Sequence, residues 1–244
     1  MDFRDVRRLE ASAAAFAGTE EFQIITGHVP PAGPGMRFFE VGAAPGFYGA
    51  VFWKHLGYRP GGVEYTDKGF DSIRRLMAHV GAPDDGYTKG DFLEYRPAAD
   101  RDVVFSSGFV EHFDDYAGLM RKHANCARPG GYVVISVPNY HFLYRHFQER
   151  IYPGLISVQH NVEIMGEAAF EKTCRALEAE GKLKILFLGG FGQPRVAGLV
   201  ARGPFLQKFL YLVDEILKLL GVYRLAKRLS REPSTLIVIA QKTN

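Results

Sequence analysis

Residues 37–46 read Arg37-Phe38-Phe39-Glu40-Val41-Gly42-Ala43-Ala44-Pro45-Gly46. The first five form a short apolar run that ends in glycines, the pattern of a buried strand entering a tight turn. Residues 47–56 follow with helical spacing of their apolar side chains. Glycines at a strand-to-helix turn let the backbone approach a ligand closely, and the helix N-terminus beyond offers free N–H groups. A phosphate suits such a site, and so does the carboxylate of an amino acid.

Outward from this turn the chain alternates strand and helix. Gly62-Val63-Glu64-Tyr65 reads as a second short strand, and residues 67–80 as a helix that Thr66 or Asp67 caps. Gly86-Tyr87-Thr88-Lys89 leads to Gly90-Asp91. Residues 101–105 form a fourth strand and residues 116–127 the helix after it. Pro129-Gly130-Gly131 turns into residues 132–137, the most β-rich run in the chain. A helix over 168–180 stops at Gly181, followed by strands over 184–188 and 234–240. Strands joined by crossover helices predict an α/β fold, a doubly wound, mostly parallel sheet with helices on both faces. Ahead of it, residues 1–35 read as a helical cap and a Pro/Gly-rich linker, with 36–244 as the main domain.

The bulk properties narrow the function. With 244 residues the chain can build one full core, and a net charge of +3 is too mild to imply a nucleic-acid partner. No basic, aromatic-interleaved groove is apparent, so nucleic acid is not the expected acceptor. Cys126 and Cys174 read as buried thiols, and no Cys/His spacing suggests a metal. The N-terminus lacks the apolar core of a signal peptide, and no stretch approaches the ~18 apolar residues that span a bilayer. The expected location is cytoplasmic.

Two further acidic residues stand at strand ends. Glu64 can accept both ribose hydroxyls of a nucleoside, and Asp91, with Phe92 beside it, can bond an adenine amino group and cover the ring. Taken in order, Phe39 to Gly46, Gly62 to Asp67, Gly90-Asp91-Phe92, Asp102 to Phe113 and Arg128 to Asn139 resemble the class I S-adenosylmethionine-dependent methyltransferases. The resemblance runs over residues 37–139, and more loosely to 188. It implies a Rossmann-like, seven-stranded sheet whose last strand is antiparallel, and S-adenosyl-L-methionine as cofactor. It also implies that Glu40, Gly42, Ala43 and Gly46 frame the methionine part, that Glu64 binds ribose and Asp91 and Phe92 adenine, and that Ser107, Gly108 and Phe109 flank the sulfonium. One departure is Ala44, where many members have glycine; Pro45 after it suits the first turn of a helix.

Methyl transfer to a hydroxyl needs a base, and three histidines follow the relevant strands: His112, His141 and His160. O-methylation of a small molecule, a saccharide or secondary metabolite, is the leading expectation. N-methylation and a non-catalytic binding module are the alternatives. An insertion at 190–233 carries a helix near 205–220 and then the basic Arg224, Lys227, Arg228 and Arg231. It reads as a lid over an apolar acceptor pocket, a homodimer helix or a surface resting on a membrane.

Overall fold

The computed structural model describes residues 3–140, 142–193, 199, 201, 203–222 and 233–243. Seven strands form one sheet: β1 (Phe38–Val41), β2 (Gly62–Glu64), β3 (Tyr87–Lys89), β4 (Arg101–Ser107), β5 (Ala127–Pro138), β6 (Leu183–Phe191) and β7 (Thr235–Lys242). Their order across the sheet is β3-β2-β1-β4-β5-β7-β6. Neighbours from β3 to β5 pair in parallel, and β7 runs antiparallel to both β5 and β6. The order reverses between β1 and β4, which opens a crevice at the carboxyl ends of these central strands.

Both faces of the sheet are covered, and the strand sequences show why. Successive side chains point to opposite faces. Phe39, Val104, Val133 and Val238 pack on one side, beneath α5 (Tyr116–Cys126) and α8 (Glu167–Ala179). Phe38, Val103, Phe105, Val134 and Ile239 pack on the other, beneath α3 (Phe47–Val51) and α4 (Asp67–Val80). Every residue of β1 is buried, the acid Glu40 along with its three apolar neighbours. The lead-in forms α1 (Phe3–Ala15), a 3₁₀ turn (Phe16–Gly18) and α2 (Glu20–Thr26), and its Val6, Ala13, Phe16 and Ile25 enter the second of these cores. The linker is fastened as well: Tyr58 Oη donates to Pro30 O at 2.8 Å.

Two details differ from the sequence reading. The helix after β1 continues past α3 as a π turn (Phe52–Leu56). Strand β5 begins at Ala127, so the Pro129-Gly130-Gly131 turn is an outward bulge within it. The register jumps from Arg101↔Ala127 to Val103↔Tyr132. Asp102 holds that bulge, accepting from Arg128 Nε and from Arg37 N, both at 2.7 Å. The remaining helices are α6 (Phe142–Ile151), α7 (Leu155–Gln159) and α9 (Pro204–Leu219).

Phe105 is fully buried, with ring centroids 4.3 Å from Tyr48 and 5.8 Å from Phe38. Phe105→Ala is expected to cost about 3–5 kcal/mol in chemical denaturation, because the close-packed rings around it cannot collapse into the gap. A loss below about 1 kcal/mol contradicts this packing.

Candidate functional site

Past Val41 the chain turns through Gly42 at φ 69° and Gly46 at φ 93°, a conformation that glycine alone adopts without strain. Space makes the same demand at Gly42, where a Cβ would lie 2.8 Å from Phe109 Cδ2. The N–H groups of Gly42 and Ala43 both bond Val63 O at 3.1 Å, which fixes the loop against β2. Gly46 is the N-cap of α3, so Pro45, expected in the first helical turn, stands ahead of the cap instead. The left-handed Gly46 delays the helix to Phe47, and the Ala44–Pro45 bond is cis. Ala44 keeps its φ outside the left-handed region, so its methyl group is tolerated.

Glu64 ends β2 as a buried carboxylate with three backbone and hydroxyl donors. Its Oε1 accepts from Thr66 N at 2.9 Å and Thr66 Oγ1 at 2.7 Å, and its Oε2 from Ala44 N at 3.2 Å. Thr66 Oγ1 also accepts from Gly69 N at 3.0 Å, which makes Thr66, not Asp67, the cap of α4. Asp67 is exposed and pairs with Lys89. Glu40 lies beneath the loop, 4 % exposed, with Oε2 lacking any hydrogen-bond partner. Burial pushes its carboxyl well above the usual range; a bond from the Gly49 N–H opposes this and the charge of Glu64 adds to it.

These elements border a cleft of about 640 Å³ at the carboxyl ends of the strands, lined by Gly42, Glu64, Asp91, Phe92, Gly108, Phe109 and His112 among others. Asp91 Oδ1 accepts from Leu93 N at 2.8 Å. Phe92 is 3 % exposed and belongs to the core as much as to the cleft wall, its ring 4.9 Å from that of buried His123. Gly108, at φ 66°, donates its N–H to Ser136 O at 3.0 Å. Ala43 is buried under the loop and Ser107 is exposed at the end of β4.

Two of the three histidines meet. The rings of His112 and His160 stand 4.4 Å apart between centroids. His112 ends the short 3₁₀ turn (Val110–His112) after β4 and lines the cleft, whereas His160 closes α7 behind it. Each turns Nδ1 to a carbonyl oxygen, His112 to Gln159 at 3.2 Å and His160 to Ile156 at 3.1 Å. A carbonyl only accepts, so Nδ1 carries a proton in both rings, and in the neutral form of each ring Nε2 is the acceptor. Burial holds His160 below the ordinary histidine pKa, with the nearby His112 acting in the same direction. His141 lies outside the described residues, as do Arg224, Lys227, Arg228 and Arg231. Tyr140 is core, its hydroxyl donating to Glu149 at 3.0 Å. Both cysteines are buried, which pushes their thiols up to about 11 at Cys126 and about 12 at Cys174.

Two functional candidates had no readable signal in the sequence. Tyr48 Oη donates to Glu21 Oε1 at 3.0 Å and lies 3.5 Å from Ser107 Oγ, so a buried acid from the lead-in reaches the end of β4. Burial raises Glu21 to about 7 against the smaller, opposing effect of the Tyr48 bond. Glu111 is 1 % exposed with Oε2 unpartnered, and burial raises its carboxyl too. No short spacing links Glu21, Tyr48 and Ser107; only the docking of α2 brings them together.

A family model described as a methyltransferase domain matches residues 19–176, more than half of the chain. The chain belongs to that methyltransferase-domain family. It is an S-adenosylmethionine-dependent methyltransferase. Solved structures of the same fold include an S-adenosylmethionine-dependent methyltransferase from Mesorhizobium loti, 19 % identical with a TM-score of 0.57 over 92 % of this chain and 99 % of that one. Another, from Archaeoglobus fulgidus, is 18 % identical with a TM-score of 0.56 over 96 % and 94 %. A third is the geranyl diphosphate C-methyltransferase of Streptomyces coelicolor A3(2), 13 % identical with a TM-score of 0.58 over 92 % and 77 %. The methyltransferase's own residues fit the cofactor. The cleft has nucleoside dimensions, Gly42 forms a cradle that a Cβ would fill, and the buried Glu40 Oε2 has no protein partner.

Gly42→Ala is expected to cost about 1–3 kcal/mol in denaturant unfolding, from the left-handed backbone and the displaced Phe109 ring. A loss within a few tenths contradicts the loop geometry. At Glu21 the folded pKa exceeds the unfolded one, so the folded chain holds its proton longer. Stability therefore falls as pH rises from about 4.5 to about 7. The loss is on the order of 3 kcal/mol at most. Comparing stability at both ends of that window, Glu21→Gln should remove this component of the slope; an unchanged slope refutes the assignment.

Proposed function

We propose that the methyltransferase methylates a hydroxyl group of a small molecule, a saccharide or secondary metabolite, and that His112 takes the proton. The observation that carries this reading is the orientation of His112. It lines the cleft, and its Nδ1–H is spent on Gln159 O, which leaves Nε2 as a proton acceptor. His160, packed on its ring, positions it.

The cofactor supplies an electrophilic methyl group on a sulfonium. The residues of this chain bind, orient and deprotonate. Glu64 uses three of roughly four lone-pair positions on its own backbone and on Thr66, so it offers ribose the remaining one and the place of its longest bond, that from Ala44 N. Asp91, with Oδ1 bonded to Leu93 N, offers Oδ2 to an adenine amino group, and the edge of Phe92 closes the cleft beside it. Gly42, Ala43 and Gly46 provide close backbone approach with the Glu40 carboxyl beneath them, for the methionine part. Ser107 and Gly108 end the strand nearest the methyl group. Methyl displacement is in-line, so holding the acceptor oxygen in line is the larger part of the work. A hydroxyl needs the base in addition, whereas an amine attacks as its free base.

The test is methyl transfer from labelled S-adenosylmethionine to a panel of hydroxylated saccharides and phenolic or polyketide-like alcohols. With the best acceptor, His112→Ala should lose roughly a hundredfold or more in rate, while its affinity for S-adenosylhomocysteine stays within a few-fold. His160→Ala should lose less. Full activity in both variants, or label recovered on nitrogen, would overturn the assignment.

A further inference from the structure

The residues of α9 fall into two opposed sets. Leu210 and Asp214, 8 % and 1 % exposed, are turned into the protein. Phe205, Phe209, Leu212, Ile216 and Leu219 recur at spacings of three and four and therefore share one side, the side opposite Leu210 and Asp214. All five are open to solvent, from 46 % at Ile216 to 86 % at Phe205. Leu220 extends the stripe at 72 %. A soluble helix buries its apolar stripe against the core; α9 buries the flank carrying an acid and presents the stripe outward. It stands between β6 and β7, outside the sheet and beyond residues 19–176 matched by the methyltransferase family.

Charge decides what the stripe meets. Between Arg202 and Glu232 the sequence carries seven arginines and lysines against three acids. Of the acids, Asp214 is buried and Glu215 pairs with Lys218 at 3.3 Å. The cations include Arg224, Lys227, Arg228 and Arg231, which directly follow the helix in sequence. A second copy would bring the same positive excess to a two-fold contact, where like charges repel. A surface of anionic lipid headgroups complements it, and takes an apolar helical stripe lying in its plane.

We propose that α9 docks the methyltransferase on an anionic membrane surface, its Phe205–Leu219 stripe entering the headgroup boundary. No described helix is long and apolar enough to cross a bilayer, so the contact is peripheral. The insertion also leaves the sheet on the functional side. It departs after Phe191 at the end of β6 and returns through Pro233, whose carbonyl accepts from Asn139 Nδ2 at 2.8 Å just past β5. That is the edge on which the cleft opens, so a docked α9 brings the site to the membrane and favours an amphiphilic acceptor. The docking itself does not depend on the acceptor or on His112.

Flotation of the full chain with vesicles of phosphatidylcholine, with and without phosphatidylglycerol, tests it. The chain should float with the anionic vesicles and be left behind by the neutral ones, and added salt should weaken the binding. Phe205→Ser/Leu212→Ser/Leu219→Ser removes only exposed side chains, so it should keep its Tm and its affinity for S-adenosylhomocysteine while partitioning falls roughly tenfold or more. Should that variant misfold, Arg224→Gln/Lys227→Gln gives the second reading, with partitioning reduced about fivefold per charge. Absence of binding to anionic vesicles overturns the proposal. So does a sedimentation-velocity result in which the wild-type chain is a dimer, binds no vesicles, and is made monomeric by the triple substitution.

Discussion

The Glu64 carboxylate joins pieces of chain that the sheet alone leaves separate. It receives the Ala44 N–H from the glycine loop and the Thr66 N–H and hydroxyl from the start of α4, while β2 holds its own backbone. The Thr66 hydroxyl it binds is the one that caps α4. Loop, strand and helix are thus fixed to one another through a single buried carboxyl group, held by hydrogen bonds. Charge-assisted bonds of this kind are stronger than neutral ones, and buried N–H groups left without them cost about 1–3 kcal/mol each.

From that tie the rest of the cleft follows. The loop held at Ala44 places Gly42 under Phe109, and Phe109 in turn belongs to the segment that carries Gly108 and His112. Glu40 is left close to Glu64 in a dry environment, where its carboxyl holds its proton more firmly than a solvated one. The geometry is preorganised on strand ends and helix starts, and these rigid elements set the acceptor side as well.

Much of this was legible in the sequence because it is local. The strand run into the turn at β1, the glycines at 42 and 46, a helix cap at Thr66 or Asp67 and the acid at the end of β2 all announce themselves within a few residues. The antiparallel β7 came from the family resemblance and was found between β5 and β6. What stayed hidden depends on distant partners. The β5 bulge is set by Asp102 bonding Arg128, and the Glu21–Tyr48–Ser107 contact by the docking of α2. The pairing of His112 with His160 likewise requires α7 to fold back on the β4 loop. The sequence offers His112 and His160 alike as candidate bases, since spacing cannot tell which of two stacked rings faces the cleft. The apolar stripe of α9 was visible as a pattern, but its outward orientation was not.

The cleft closed by Glu64 is the proposed cofactor site. Calorimetric titration of the wild-type chain and of Glu64→Ala with S-adenosylhomocysteine tests it most directly. The expected result is a single saturable site in the wild-type chain and at least tenfold weaker binding in the variant, roughly the loss of one hydrogen bond. No binding to the wild-type chain, or equal affinity in the two proteins, would contradict it.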